Sequence, residues 1–254
     1  MGAAAPPAAP PAAMGDGMAG SPRQIPIPLG HKPAYDRDSF IVGEANRAAL
    51  QLIENWPNWP APVVVLTGPP GSGKTHLAQI WTGLSSGQLI AAEQFARSDT
   101  SLAITGPTAI DGIDMDNVPE KALFHLMNLA GEASTTLLLT SRMPVADWQV
   151  GLPDLGSRLR LAAPAELTAP DEALLRQVLV KLFTDRQLFI DKSIVDYILL
   201  RMERSLASAS RIVSALDQAA LSAGRRITRP LAAVVLEAGI GLEKPADWEQ
   251  ASEH

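Results

Sequence analysis

The stretch Gly68-Pro-Pro-Gly-Ser-Gly-Lys74-Thr75 most narrows what this chain can become. Glycines so closely spaced let backbone N–H groups converge on an anion with no side chains in the way. Lys74 adds a fixed positive charge, and Thr75 adds a hydroxyl suited to a divalent cation. Such a loop works only between a buried strand and the first turn of a helix, whose positive end faces the same anion. Both flanks are present. Val63-Val-Val-Leu-Thr67 is a short β-branched run of the kind buried on both faces of a parallel sheet. Residues 74–84 place Leu77, Ile80, Trp81 and Leu84 at helical spacing. A mere surface glycine turn would require neither flank. The motif therefore predicts a nucleotide-phosphate site for ADP or ATP with Mg²⁺. It is built from Gly68, Pro69, Pro70, Gly71, Ser72, Gly73, Lys74 and Thr75, with His76 following in the helix.

The rest of the chain carries the alternation that this loop demands. Residues 88–91, 108–111, 135–140 and 159–162 read as further short strands, and residues 45–56 and 122–130 as helices. The first helix would bury Ala48, Ala49, Leu52 and Ile53, and the second Leu123, Leu126, Met127 and Ala130. Strands alternating with helices make a parallel sheet covered by helices on both faces. After Pro170 the strand signal stops. Residues 171–186, 191–203, 208–222 and 230–237 all show helical periodicity, the first three opening on Asp or Ser and the fourth on Pro. The expectation is an α/β P-loop domain over 39–168, a small all-helical domain over 169–238, and tails at 1–38 and 239–254.

Composition removes several alternatives. Residues 1–22 are mostly Ala, Pro and Gly, the makeup of a disordered tail. The net charge of −6 argues against broad binding to a phosphate backbone, although a local basic patch stays open. With no cysteine, disulfides, thiolate zinc sites and cysteine nucleophiles are excluded. His76 and His125 lack an acidic or histidine partner at ligand spacing, so no histidine metal site is expected. No apolar run approaches the roughly 18 residues of a membrane span. Pro6, Pro7, Pro10 and Pro11 break any signal-peptide core, so a cytoplasmic protein without a membrane partner is expected.

Asp111 closes the strand at 108–111, where a P-loop fold places the carboxylate that orients Mg²⁺; a capping aspartate at a strand end is the plainer reading. With the glycine loop upstream, Thr75 and Asp111 form the expected metal pair. Gly112 occupies the position where a hydrolytic relative often carries a second acid, and Asp114 stands two residues further on. Slow or absent intrinsic hydrolysis follows.

A P-loop domain followed by a four-helix lid resembles the AAA+ ATPases. Phe40-Ile-Val-Gly43 with Asn46 resembles the N-terminal box of the DnaA initiator, and Leu137-Leu-Leu-Thr-Ser141-Arg-Met-Pro144 its sensor-1 strand and turn. Gly151-Leu-Pro-Asp-Leu-Gly-Ser-Arg158-Leu is similar to the arginine-finger segment of the shortened, Hda-type regulators of that initiator. The resemblance runs from about Gln24 to Glu237. It implies a nucleotide-bound negative regulator of replication initiation, with Arg158 reaching a neighbouring subunit's γ-phosphate and partnering Asp111 in the catalytic set. A surface salt bridge or lid contact is the plainer reading of Arg158. Two partners are implied, the DNA polymerase sliding clamp and the initiator, with a nucleotide-dependent homo-oligomer left open. No direct sequence-specific DNA binding is implied, because the residues after 237 are too few for the initiator's helix-turn-helix domain.

Gln24-Ile-Pro-Ile-Pro-Leu29 is similar to the Hda clamp-binding peptide. Gln24, Ile25, Ile27, Pro28 and Leu29 would make the contact, with Ile27 and Leu29 filling an apolar cleft and the Gln24 amide bonding at its rim. An ordinary proline-rich linker is the plainer reading. In the lid, an ungapped match places the sensor-2 arginine at Ala207, a departure from the pattern, with Arg204 and Arg211 about one turn to either side. Ser141, Arg204 and Arg211 are thus the sensor candidates, the two arginines being equally readable as solvated helix charges. The rival functions are a stand-alone P-loop ATPase such as a helicase loader, marked by robust turnover alone, and a DNA-binding adaptor, marked by binding at physiological salt.

Overall fold

The computed structural model describes residues 36–97, 106–116 and 118–240; the peptide at 24–29 and residues 241–254 lie outside them. Five parallel strands form one sheet in the order β2-β3-β4-β1-β5. They are β1 Val63–Thr67, β2 Gln88–Ala91, β3 Thr108–Ile113, β4 Leu137–Ser141 and β5 Ala163–Glu166. The two central strands, β1 and β4, are buried at every residue, which is why both read as unbroken apolar runs. Alternate residues of β1 serve opposite faces. Val63 and Val65 join a core with Leu123 and Leu126 of α4 (Glu120–Glu132) and Leu155 of α5 (Pro153–Leu159). Val64 and Leu66 join Ile53 of α1 (Arg47–Glu54) with Leu77 and Trp81 of α2 (Lys74–Ser85). The short α3 (Ala92–Arg97) completes the first layer through Phe95.

Some expectations shift. The alternation Leu-Arg-Leu-Ala at 159–162 imitates a strand, but the helical period prevails there. Leu155 and Leu159, four residues apart, are both buried under α5, whereas Leu161 is 79% exposed. The fifth strand starts at Ala163 instead, and as an edge strand bonded only to β1 it tolerates Pro164. In α1 the buried face is Ala49, Leu50 and Ile53, with Ala48 exposed. Leu84, expected inward, is 51% exposed in the last turn of α2.

The C-terminal helices are α6 Glu172–Asp185, α7 Lys192–Leu199, α8 Leu206–Ala223 and α9 Arg229–Glu237. They enclose a separate core that includes Leu179, Phe183, Ile198, Ile212, Leu216 and Ala232. Asp171 caps α6, its side chain accepting from the Leu174 N–H at 2.7 Å. Helix α8 begins two residues before the expected Ser208, capped by Ser205, and α7 stops at Leu199 rather than 203. A tertiary contact meets the start of α8: the Leu206 N–H donates to the Gly71 carbonyl of the glycine loop at 2.9 Å. Among the described residues no helix is long and apolar enough to cross a membrane.

Candidate functional site

The glycine loop joins β1 to α2 at the carboxyl edge of the sheet. Gly71 and Gly73 have φ of +67° and +105°, a backbone that L side chains rarely adopt, so the loop closes only with glycine there. Lys74, at the start of α2, donates from Nζ to the carbonyls of Gly68 and Pro69, each at 2.8 Å. Burial holds its ammonium below the ordinary lysine range; the nearby Asp111 charge opposes that shift, and Arg142 adds to it.

The two residues expected to serve a metal meet directly. Thr75 Oγ1 donates to Asp111 Oδ2 at 2.8 Å, and the other carboxylate oxygen accepts from Thr140 Oγ1 at 2.6 Å. Thr140 was not among the expected residues. Strand pairing would have disclosed it, since Ile110 of β3 lies beside Leu139 of β4 and the next residues on each strand are Asp111 and Thr140. Ser141, one position further, is buried and accepts from the Met143 N–H at 3.2 Å, shaping the turn after β4.

Asp111 does not end its strand; β3 continues to Ile113 through an irregularity between Ile110 and Ile113. Gly112 sits in that irregularity with φ +83°, and its N–H donates to Thr140 Oγ1 at 2.8 Å. Any L-residue, a second acid included, is strained at that backbone angle. The Asp114 carboxylate is engaged locally, accepting from the Asp116 N–H at 3.2 Å.

His76 faces the chain entering the domain. Its Nε2 lies 3.1 Å from the Asp36 carbonyl and 3.2 Å from Ser39 Oγ, and its ring meets Phe40 edge-on at 5.0 Å. Burial lowers its pKa, with the Asp36 carbonyl and charge opposing. The Asn46 side chain folds residues 41–43 back on themselves, accepting from the Gly43 N–H and donating to the Ile41 carbonyl, both at 2.9 Å. A Cβ on Gly43 would lie 3.1 Å from the Leu174 side chain of α6, so this segment packs directly on the lid. The tryptophans have packing partners: Trp59 stacks on Trp81 at 5.0 Å, and Trp56 and Trp148 donate to Thr136 Oγ1 and the Met143 carbonyl.

At the lid, Ala207 stands against the loop, its Cβ 3.1 Å from where a Cβ on Gly71 would be. Arg211 donates to Ser208 Oγ at 2.9 Å and lies 3.8 Å from Glu203, while Arg204 is exposed without a hydrogen bond or ion pair among the described residues. Arg158 lies in the last turn of α5 rather than in a loop, because Leu155 and Leu159 anchor that turn as a helix. Its guanidinium is exposed, rests over the Phe124 ring at 5.3 Å from the centroid, and has no carboxylate partner among the described residues. A groove of about 620 Å³ lies between β1, β5 and α5, and its lining contains none of residues 68–76.

The donor set suits a magnesium-bound nucleotide. A hydroxyl and a carboxylate already 2.8 Å apart are hard oxygen donors of the kind Mg²⁺ takes together with phosphates. Among the described residues no group of three His, Cys, Asp or Glu side chains offers a competing cage.

Comparison with known proteins agrees with this architecture. Residues 171–236 match the family model of the Hda lid domain. A Haemophilus influenzae protein described as uncharacterized is 26% identical over 230 residues, covering 84% of this chain and 98% of its own. Domain III of the Thermotoga maritima replication initiation protein DnaA superposes with a TM-score of 0.71 at 18% identity, covering 84% of this chain and 99% of that one. A replication initiator DnaA bound to AMPPCP and single-stranded DNA gives 0.62 at 18% identity, covering 76% and 69%. Structural likeness at such low identity establishes the fold alone, a five-stranded parallel P-loop sheet followed by a helical lid, similar to that of DnaA domain III. The lid match is more specific: over residues 171–236 the chain is similar to the lid domain of Hda.

Proposed function

We propose that this protein binds an adenine nucleotide with Mg²⁺, docks on the DNA-loaded sliding clamp, and stimulates hydrolysis of ATP held by the DnaA initiator, thereby restraining replication initiation. The observation that carries this reading is Arg158: an exposed guanidinium, held on a ring and left without a carboxylate partner among the described residues. A guanidinium kept in that condition suits the anionic site of another molecule. There it would stabilise charge on a transferring phosphoryl group, with a planar fork that a lysine cannot reproduce. Within the chain's own site, Lys74 and the loop amides would hold phosphates, and Thr75 and Asp111 would hold the metal, which supplies charge neutralisation at the phosphates. The AMPPCP-bound DnaA of similar fold supports an adenine nucleotide here. The strained position at Gly112 supports weak turnover by the chain alone. The clamp-docking part rests on Gln24, Ile25, Ile27, Pro28 and Leu29, which lie outside the described residues.

The test is labelled ATP on the initiator, with clamp loaded on DNA and this protein added. Arg158→Ala is expected to keep nucleotide and clamp binding while hydrolysis falls to the initiator's unstimulated rate, and Arg158→Lys is expected to restore little. Full stimulation by the Ala variant would remove the finger. Absence of stimulation by the parent protein would remove the regulator reading itself.

A further inference from the structure

Helix α5 carries Arg158 and cannot hold itself. Its seven residues are too few for an independently stable helix, and no side chain of its own caps it. The missing cap comes from α4. The Glu120 carboxylate accepts from the Gly151 and Leu152 N–H groups at 2.7 Å each, one through each oxygen, at the point where the chain enters α5. One turn along α4, on the same face, Phe124 lies beneath the Arg158 guanidinium at the other end of α5. Leu155 and Leu159 bury the side between the two contacts. Helix α4 thus grips α5 at both ends, through charge-assisted hydrogen bonds at the entry and an aromatic face at the exit.

We infer that Glu120 and Phe124 are positioning residues that hold the Arg158 guanidinium ready for a partner's phosphate, an inference that rests on the finger reading of Arg158. A long arginine side chain loses rotamer freedom when it engages a ligand. Resting it on a ring removes part of that loss beforehand without neutralising the charge, as a carboxylate partner would. Glu120 fixes the helix that carries it. Both residues act through Arg158 and need not touch the reacting phosphate.

The experiment uses the full chain with Glu120→Gln, Phe124→Leu, Phe124→Tyr and Arg158→Ala, in stimulated hydrolysis of initiator-bound ATP titrated to saturation. Unfolding of a fraction of this protein would move its half-saturating concentration and leave the plateau; loss of positioning lowers the plateau. Glu120→Gln is expected to lower the plateau about tenfold, the equivalent of one charge-assisted contact, and Phe124→Leu about fivefold, that of an exposed cation–π contact, and neither should reduce it further in an Arg158→Ala background. Phe124→Tyr keeps the ring and should restore the plateau to within about twofold. A second readout needs no partner: a glutamine oxygen cannot serve two donors through two oxygens, so amide exchange at Gly151 and Leu152 should quicken about tenfold in Glu120→Gln. Unchanged exchange at those amides overturns the capping of α5 by Glu120. A parental plateau with Phe124→Leu and Glu120→Gln, while Arg158→Ala is inactive, overturns the positioning role and leaves the finger standing. A parent that gives no stimulation removes the finger, and the positioning role falls with it.

Discussion

Gly71 and Gly112 both have left-handed backbone, at φ +67° and +83°, yet alanine should affect them differently. At Gly112 a Cβ meets nothing within 4 Å, so only the backbone penalty applies, about 1–2 kcal/mol, partly offset by the stiffer unfolded chain. At Gly71 the same Cβ would lie 2.8 Å from Ser205 Cβ, 3.0 Å from Ser205 Oγ and 3.1 Å from Ala207 Cβ. None of these can swing aside. The two Cβ atoms are fixed by the backbone of α8, and Ser205 Oγ is held as that helix's cap at 3.1 Å from the Ser208 N–H. Overpacking of this kind adds about 1–3 kcal/mol, for a total near 3 kcal/mol at Gly71 against about 1 at Gly112. With a urea slope of about 2 kcal/mol/M, the midpoint should fall by roughly 1.5 M for Gly71→Ala and 0.5 M for Gly112→Ala. Adding Ser205→Gly to Gly71→Ala removes the nearest clash at little capping cost and should recover about 1 kcal/mol. Equal midpoints for the two single variants, or no recovery in the double variant, would refute the contact between loop and lid as the source of the difference.

Two further outcomes bear on the proposed activity. Lys74→Ala removes the cation at the phosphates and should weaken ADP and ATP binding by at least about tenfold to a hundredfold in calorimetric titration, and unchanged affinity would rule out a working glycine loop. Replacing Gln24, Ile27 and Leu29 together by Ala should abolish clamp binding with thermal stability nearly unchanged. Clamp affinity equal to the parent's would show that the peptide is not the docking element.

The glycine loop, its two flanks and the Thr75–Asp111 pair were legible because each is specified by neighbours in sequence or by a strand end of recognisable chemistry. The core strands were legible for the same reason: β1 and β4 are buried on both faces and so are apolar throughout. What escaped depends on distant contacts. Thr140 acquires its meaning from the strand beside it, and Glu120 from amides about thirty residues away. At the start of α8 the cap by Ser205 is local, but the bond from the Leu206 N–H to the Gly71 carbonyl is not. Residues 159–162 illustrate the opposite error, a two-residue alternation that is really the end of a helix whose period becomes visible only with Leu155 included. Arg158 is conspicuous in the sequence only through resemblance, and its place on a helix over Phe124 depends on contacts with α4.

The bond from Leu206 to Gly71 makes α8 a lever. Its 18 residues span about 27 Å, with one end at the glycine loop and the other at Gly224. Each degree of tilt at the loop end swings the far end by about half an ångström. A tilt of a few degrees at the loop would therefore be felt most at the turn beyond α8, where Arg225 and Arg226 stand exposed. Because α8 shares one core with α6, α7 and α9, such a tilt would carry the whole lid with it.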